Sequence, residues 1–185
     1  STRVYATGPS NGGIFVSRLG CDASDLFAGI APVIGTIASA LTPQCHPARC
    51  LTVVGIQGVA DPVVPFDGGD VGGSIENAAA GGSVQSSRFT QELWRTFEGC
   101  GETVSASPLP MKVRDGTSAT KREFTGCKNG VTVAWYEIAG GGHRWPPHKS
   151  SGVTERVAEK KLGISSQNID ASAVIWAAFA SHPRR

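Results

Sequence analysis

Three side chains in this sequence have the types and the order needed for nucleophilic acyl chemistry: Ser10, Asp61 and His143. A serine hydroxyl is a poor nucleophile at neutral pH, so a histidine must take its proton as it attacks a carbonyl and later return it to the departing alkoxide. An aspartate on the other ring nitrogen would fix the tautomer and stabilise the imidazolium. Ser10 lies within residues 4–13, VYATGPSNGG, which match GxSxG, the pattern of a serine held on a tight strand-to-helix turn. At such a turn the serine sits at a strained backbone angle, and side chains two residues either side of it would collide with the neighbouring strand and helix. The helix N-terminus favours developing negative charge, and the backbone N–H of Asn11 offers one donor for an oxyanion.

Two of these residues also have a plainer reading, and the third resists one. Ser10 could be a helix N-cap after an ordinary loop. Asp61 precedes Pro62 and could simply begin a turn. His143 follows Gly140, Gly141 and Gly142, where a polar residue has little local packing to serve. His46, His148 and His182 read as surface residues. Cys45, His46 and Cys50, or His143 with His148, lack standard ligand spacing, so neither a metal nor a cofactor is expected.

The elements that must position the three residues can be read from periodicity. A short apolar strand, Val4 to Ala6, precedes Ser10, and after it Ile14, Phe15 and Leu19 predict a helical stripe ending near Gly20. A second apolar strand is expected at Gly29–Val33, and residues 36–49 read as a surface excursion. Residues 51–57, LTVVGIQ, form a nearly continuous apolar run, as expected of a parallel strand covered on both faces, and Asp61 lies just beyond it. Residues 67–87 are rich in Gly, Ser and Ala and read as a surface loop that could rim a cleft. Ser86 or Ser87 could cap a helix whose Phe89, Leu93, Trp94 and Phe97 form a core-facing stripe, closed by Gly99-Cys100-Gly101. Residues 102–130 are polar. Residues 131–138, VTVAWYEI, are the strongest strand in the chain and lead into the glycines before His143. Asp170 caps a last helix with Val174, Ile175, Ala178 and Phe179 on one face. The pattern predicts an open α/β architecture with a mainly parallel sheet flanked by helices, in which Ser10, Asp61 and His143 all fall just past the carboxyl ends of strands.

The bulk composition narrows the function classes. The 185 residues fit one domain, and a net charge of +2 carries no nucleic-acid or anionic-membrane signature. Neither a nucleic acid nor a membrane is therefore expected as a partner. Five cysteines with few lysines read as extracellular, and the odd count leaves one thiol unpaired within the chain. Because the first strand begins within a few residues of Ser1, the chain reads as the C-terminal part of a longer protein.

The segments RVYATGPSNGG, QGVADPVVPFDGG, IAGGGHRWPP and NIDASAVIWAAFASHP, in that order, resemble secreted feruloyl esterases and polyhydroxybutyrate depolymerase-like esterases of the α/β-hydrolase superfamily. The resemblance implies that residues 1–185 are the C-terminal part of a single α/β-hydrolase catalytic domain whose first strands and second oxyanion donor lie outside the chain. It also implies a triad of Ser10, Asp61 and His143, and Trp145 beside the histidine as a substrate contact. The implied substrate is a small-molecule or polymer-linked ester: feruloyl or acetyl esters on polysaccharide, or polyhydroxyalkanoates. Disulfides Cys21–Cys45 and Cys100–Cys127 with Cys50 as a buried odd thiol are suggested by it, with Cys45–Cys50 still open. Secretion, or export to the periplasm, goes with it. Pro9 stands where the family usually has a larger apolar residue, and Arg144 and Pro147 near the histidine are further departures from its pattern. Two competing readings remain at this level. One is an incomplete or inactive unit, completed by a missing N-terminal segment or a second chain that pairs with the first strand. The other is a carbohydrate- or ester-binding module using Trp94, Trp135 or Trp145 as stacking platforms.

Overall fold

The apolar runs become neighbouring strands of one six-stranded sheet. The computed structural model describes residues 3–72, 82–102, 104–148 and 151–182. In chain order the elements are β1 (Tyr5–Pro9), α1 (Asn11–Asp22), β2 (Gly29–Val33), β3 (Thr52–Gly58), β4 (Gly69–Asp70), β5 (Ser83–Val84), α2 (Ser87–Phe97), β6 (Val104–Pro108), β7 (Ser118–Phe124), β8 (Val133–Ala139), α3 (Gly152–Leu162) and α4 (Ala171–Ser181). The sheet order is β1-β2-β3-β8-β7-β6. The first four are parallel, and β7 and β6 extend the sheet antiparallel. The result is a mixed α/β fold with a mostly parallel sheet flanked by helices.

Successive residues of the central strands point to opposite faces, and both faces are covered, which is why these strands read as unbroken apolar runs. Ile30, Val53, Val133 and Trp135 join one core cluster with Val16 of α1 and Trp94 of α2. Their neighbours Ala31, Val54 and Tyr136 join a second with Ile175 and Phe179 of α4. Every residue of β3 is buried. At the edge, Tyr5 of β1 stacks on Phe179 with ring centroids 4.4 Å apart and donates its hydroxyl to the Phe179 carbonyl at 2.8 Å.

Several expectations need correction. In α1 the buried face is Gly13, Val16, Ser17, Gly20 and Cys21, whereas Phe15 of the expected stripe is 60% exposed. The helix passes Gly20 because small residues let it lie against Ile30 and Trp94. In α2 Ser86 is the cap, accepting the Phe89 N–H at 3.1 Å. Of the expected α2 stripe, Trp94 is fully buried and Leu93 and Phe97 pack against the same cluster, joined by buried Ser87, Thr90 and Gln91, whereas Phe89 is 41% exposed. Residues 36–49 are more than a surface excursion, since Thr36, Ile37, Leu41 and Cys45 are buried. The polar stretch 102–130 contains the β6–β7 hairpin. Within 67–87, β4 and β5 pair with each other, and residues 73–81 lie outside the described residues.

Disulfides link Cys21 with Cys45 and Cys100 with Cys127, and Cys50 is free. Cys50 is half-buried rather than buried. Beside it Glu98, the C-cap of α2, is fully buried and accepts the Leu51 N–H at 2.9 Å, tying α2 to the start of β3. Burial pushes the Glu98 carboxyl up to about 7, opposed by the Leu51 hydrogen bond and the Cys50 thiol.

Candidate active site

Ser10 stands between the end of β1 and the first residue of α1, at φ 58° and ψ −125°. That is left-handed territory for a residue with a side chain, and Ile34, just past the end of β2, shares it at φ 45°. Two surrounding contacts hold the turn. The Ser10 N–H donates to the Val33 carbonyl and the Ile14 N–H donates to the Ser10 carbonyl, each at 3.0 Å. The glycine logic of GxSxG holds at Gly8, where a Cβ would meet the Gly12 backbone at 3.0 Å, and not at Gly12, where it would find ordinary contact with Pro9. The tighter positions are Gly13, facing the Val33 carbonyl at 2.8 Å, and Gly35, facing the Ser10 carbonyl at 2.6 Å. The side chains excluded here would break the approach of α1 to β2 rather than the turn itself.

The structure brings Ser10, Asp61 and His143 into one hydrogen-bonded row. His143 Nε2 lies 2.8 Å from Ser10 Oγ, and Nδ1 lies 2.9 Å from Asp61 Oδ2. A carboxylate only accepts, so Nδ1–H donates to Asp61, and Nε2 is left with its lone pair toward the serine hydroxyl. The Asp61 side chain is fully buried. Its Oδ1 accepts the N–H groups of Val63 and Val64 at 2.8 and 2.9 Å, so Asp61-Pro62 does begin a turn and the turn orients the carboxylate. Gln57, buried at the end of β3, donates to the Val64 carbonyl at 3.0 Å and reaches Asp61 Oδ2 at 3.4 Å. Nothing in the sequence beyond its place in an apolar strand singled out Gln57.

The His143 loop is held from two sides. Toward β3, the Ala60 N–H donates to the Gly141 carbonyl, and a Cβ on Gly58 would lie 2.6 Å from the Gly142 carbonyl. Toward the solvent, the Gly142 N–H donates to Ile164 and the His143 N–H to the Leu162 carbonyl at 2.6 Å, so the loop rests on the C-terminal end of α3. Arg144, itself buried, reaches the first turn of the same helix with a two-pronged pair to Glu155 at 2.6 and 3.0 Å. The Glu155 hydrogen bond raises the Arg144 pKa above its ordinary value, against the opposing effect of burial. Helix α3 was invisible to a search for apolar stripes because none of its residues is buried.

The remaining expected residues fall as follows. Asn11 is the first residue of α1, where a backbone N–H has no partner within the helix and can face a ligand. Trp145 is half-buried and packs against the α4-side core cluster. Trp94 and Trp135 are fully buried, so neither can be a stacking platform. His46 and His148 are exposed, while His182 is half-buried, 3.1 Å from the Thr132 hydroxyl.

The row of acid, imidazole and serine can deliver a serine nucleophile to an acyl carbon. Comparison with known proteins points the same way. Over 146 residues, 77% of the chain, the sequence is 32% identical to a Nocardia uniformis subsp. tsuyamanensis protein named "Putative esterase NocK". Over a like span it is 30% identical to Feruloyl esterase B of Piromyces equi. The chain is related to proteins named as esterases. The aligned regions make up 42% and 25% of those two proteins, so the chain spans less than half of either. The relationship supports ester hydrolysis in general. No family model matches the chain, and no solved structure matches it significantly.

Proposed function

We propose that this chain carries the catalytic core of a serine carboxylic-ester hydrolase of the α/β-hydrolase superfamily, with Ser10 as nucleophile, His143 as general base and acid, and Asp61 as orienting acid. The observation that supports the reading is the continuous row from Ser10 Oγ through His143 to a buried, doubly hydrogen-bonded Asp61. In the first step His143 Nε2 takes the hydroxyl proton as Ser10 Oγ bonds to the ester carbon. The resulting oxyanion faces the Asn11 N–H, and a second donor comes from a loop outside this sequence. The C–O bond to the alcohol then breaks as His143 returns the proton to the alkoxide, leaving an acyl-serine. Water repeats the sequence and releases the acid, with no cofactor required.

Feruloyl or acetyl esters on polysaccharide, or polyhydroxyalkanoate esters, are the proposed substrates, with Trp145 at the cleft beside His143. The disulfides fit an oxidising compartment, and secretion is part of the proposal. The residues form the C-terminal part of one catalytic domain whose sheet continues beyond β1. The exposed Thr7 and Pro9 on that edge strand, with Phe15 of α1 60% and Trp176 of α4 63% exposed, favour a missing segment or second chain there. The test is hydrolysis of p-nitrophenyl acetate and methyl ferulate, alongside intact mass after a serine-directed phosphonate. Turnover, with a single adduct that Ser10→Ala abolishes, supports the reading. Turnover that survives Ser10→Ala refutes it, and a folded parent with neither turnover nor adduct favours the incomplete unit.

A further inference from the structure

Loop 109–117, between β6 and β7, is fastened from beneath with unusual thoroughness. Asn168 is buried, and its Oδ1 accepts the N–H groups of Lys112 and Val113 at 2.7 and 2.9 Å. Its Nδ2 donates to the Val113 carbonyl, to Asp115 and to the Thr117 carbonyl at 3.0 to 3.1 Å. Asp115 in turn accepts the N–H groups of Thr117 and Gln167 at 2.9 and 2.7 Å. Buried polar networks with every member satisfied fix a single conformation. Besides Lys112 and Val113, the outward side chains of the loop this one fixes are Met111, 62% exposed, and Arg114.

Met111 and Arg114 wall an open depression of about 550 Å³ with Thr117, Ala139, and the glycine backbones of Gly116 and Gly140. It lies at the carboxyl end of β8 on the side of β7, three residues before His143, with β2 and β3 between β8 and the strand carrying Ser10. Among the described residues Arg114 has no anionic partner. A guanidinium in this position matches a carboxylate with paired, charge-assisted hydrogen bonds. The Met111 thioether adapts to flat or irregular apolar groups, and exposed Ala139 adds apolar surface beside it. A backbone fixed in this way spares the ordering cost that a mobile loop would incur on binding.

We propose that this depression is a second binding site, for an aromatic or aliphatic carboxylic acid whose apolar body rests on Met111 and Ala139 and whose carboxylate pairs with Arg114. The site does not depend on the role of Ser10, and the test is run on the Ser10→Ala chain so that the two readings fail separately. Met111 is the sequence's only methionine, so methyl-13C methionine labelling places one NMR signal at the wall. Cinnamate, cinnamyl alcohol and inorganic phosphate are the probes. Cinnamate should shift the signal saturably at about 1 mM, the alcohol should need roughly tenfold more, and phosphate should leave it in place. Arg114→Gln should weaken cinnamate about tenfold and leave the alcohol response unchanged. Absence of a shift at about 10 mM cinnamate, equal responses to acid and alcohol, or a cinnamate response indifferent to Arg114→Gln would each overturn the site. A phosphate response equal to that of cinnamate would overturn the apolar-acid assignment.

Discussion

Replacing Glu98 by Gln should make the protein more resistant to denaturant in alkali than in acid, and the size of the effect follows from the site. One carboxyl oxygen accepts the Leu51 N–H, and the other has no hydrogen-bond partner among the described residues. Burial then raises the folded-state pKa from its ordinary 4.5 to about 7. Below pH 4.5 the acid is protonated whether the chain is folded or not, and its protonation adds no pH dependence. Between the two values the unfolded chain ionises first, so stability falls as pH rises. Above pH 7 the loss levels off at about 3 kcal/mol, from about 1.4 kcal/mol per pH unit of displacement. Glutamine keeps an oxygen for Leu51 and carries no charge. With a urea m-value of about 2 kcal/mol/M, E98Q should raise the midpoint relative to the parent by roughly 1.5 M at pH 8.5. At pH 5 the pH-linked part of the difference should be less than about 1 kcal/mol. Both proteins are unfolded with disulfides intact, and the quantity compared is the change in their difference with pH, so other titrating groups cancel. A difference that stays constant from pH 5 to 8.5 would refute the claim that a buried, uncompensated charge sits at Glu98.

Three further changes probe the row and its supports. Asp61→Asn should lower ester turnover by about 10⁴-fold, because an amide no longer selects the Nδ1–H tautomer, while near-ultraviolet circular dichroism stays native. Gly142→Ala places a methyl group against the Leu162 carbonyl and the Gly163 backbone; kcat should fall with the thermal midpoint, because His143 and α3 must move apart together. Glu155→Ala leaves Arg144 buried without its paired acceptor and should cost about 3 kcal/mol in denaturant titration, whereas Arg144→Met with Glu155→Leu should recover much of that loss.

What the sequence disclosed tracks how strongly each element depends on burial. β2, β3 and β8 were legible as apolar runs because both faces of the sheet are covered there, and α4 because Asp170 caps it and Ile175 and Phe179 face the core. β7, SATKREF, alternates too weakly to stand out, since only Ala119 and Phe124 along it are buried. Helix α3 buries nothing and left no periodic trace, although both of its ends brace the His143 loop. In α2 the stripe of Leu93, Trp94 and Phe97 does face the core and only Phe89 falls off it, whereas in α1 Phe15 is exposed and Gly13, Val16, Ser17 and Gly20 fill close contacts that larger residues could not enter. The three site residues were legible because chemistry restricts their types and strand ends restrict their places. Gln57, Glu155 and the Leu162 carbonyl act through geometry alone, which no residue type announces.

The hydrogen bond between Ser10 and His143 joins positions 133 apart in the chain, and that between Asp61 and His143 joins positions 82 apart. Contacts of such reach form late, because the intervening chain must be ordered before they can gain anything. The buried tryptophans depend on contacts of similar reach, Trp135 against Gly55 of β3 and Trp94 against Gly20 of α1. The Ser10–His143 hydrogen bond forms only once the first and last thirds of the polypeptide have met. One side-chain contact therefore closes only with the assembly of the sheet as a whole.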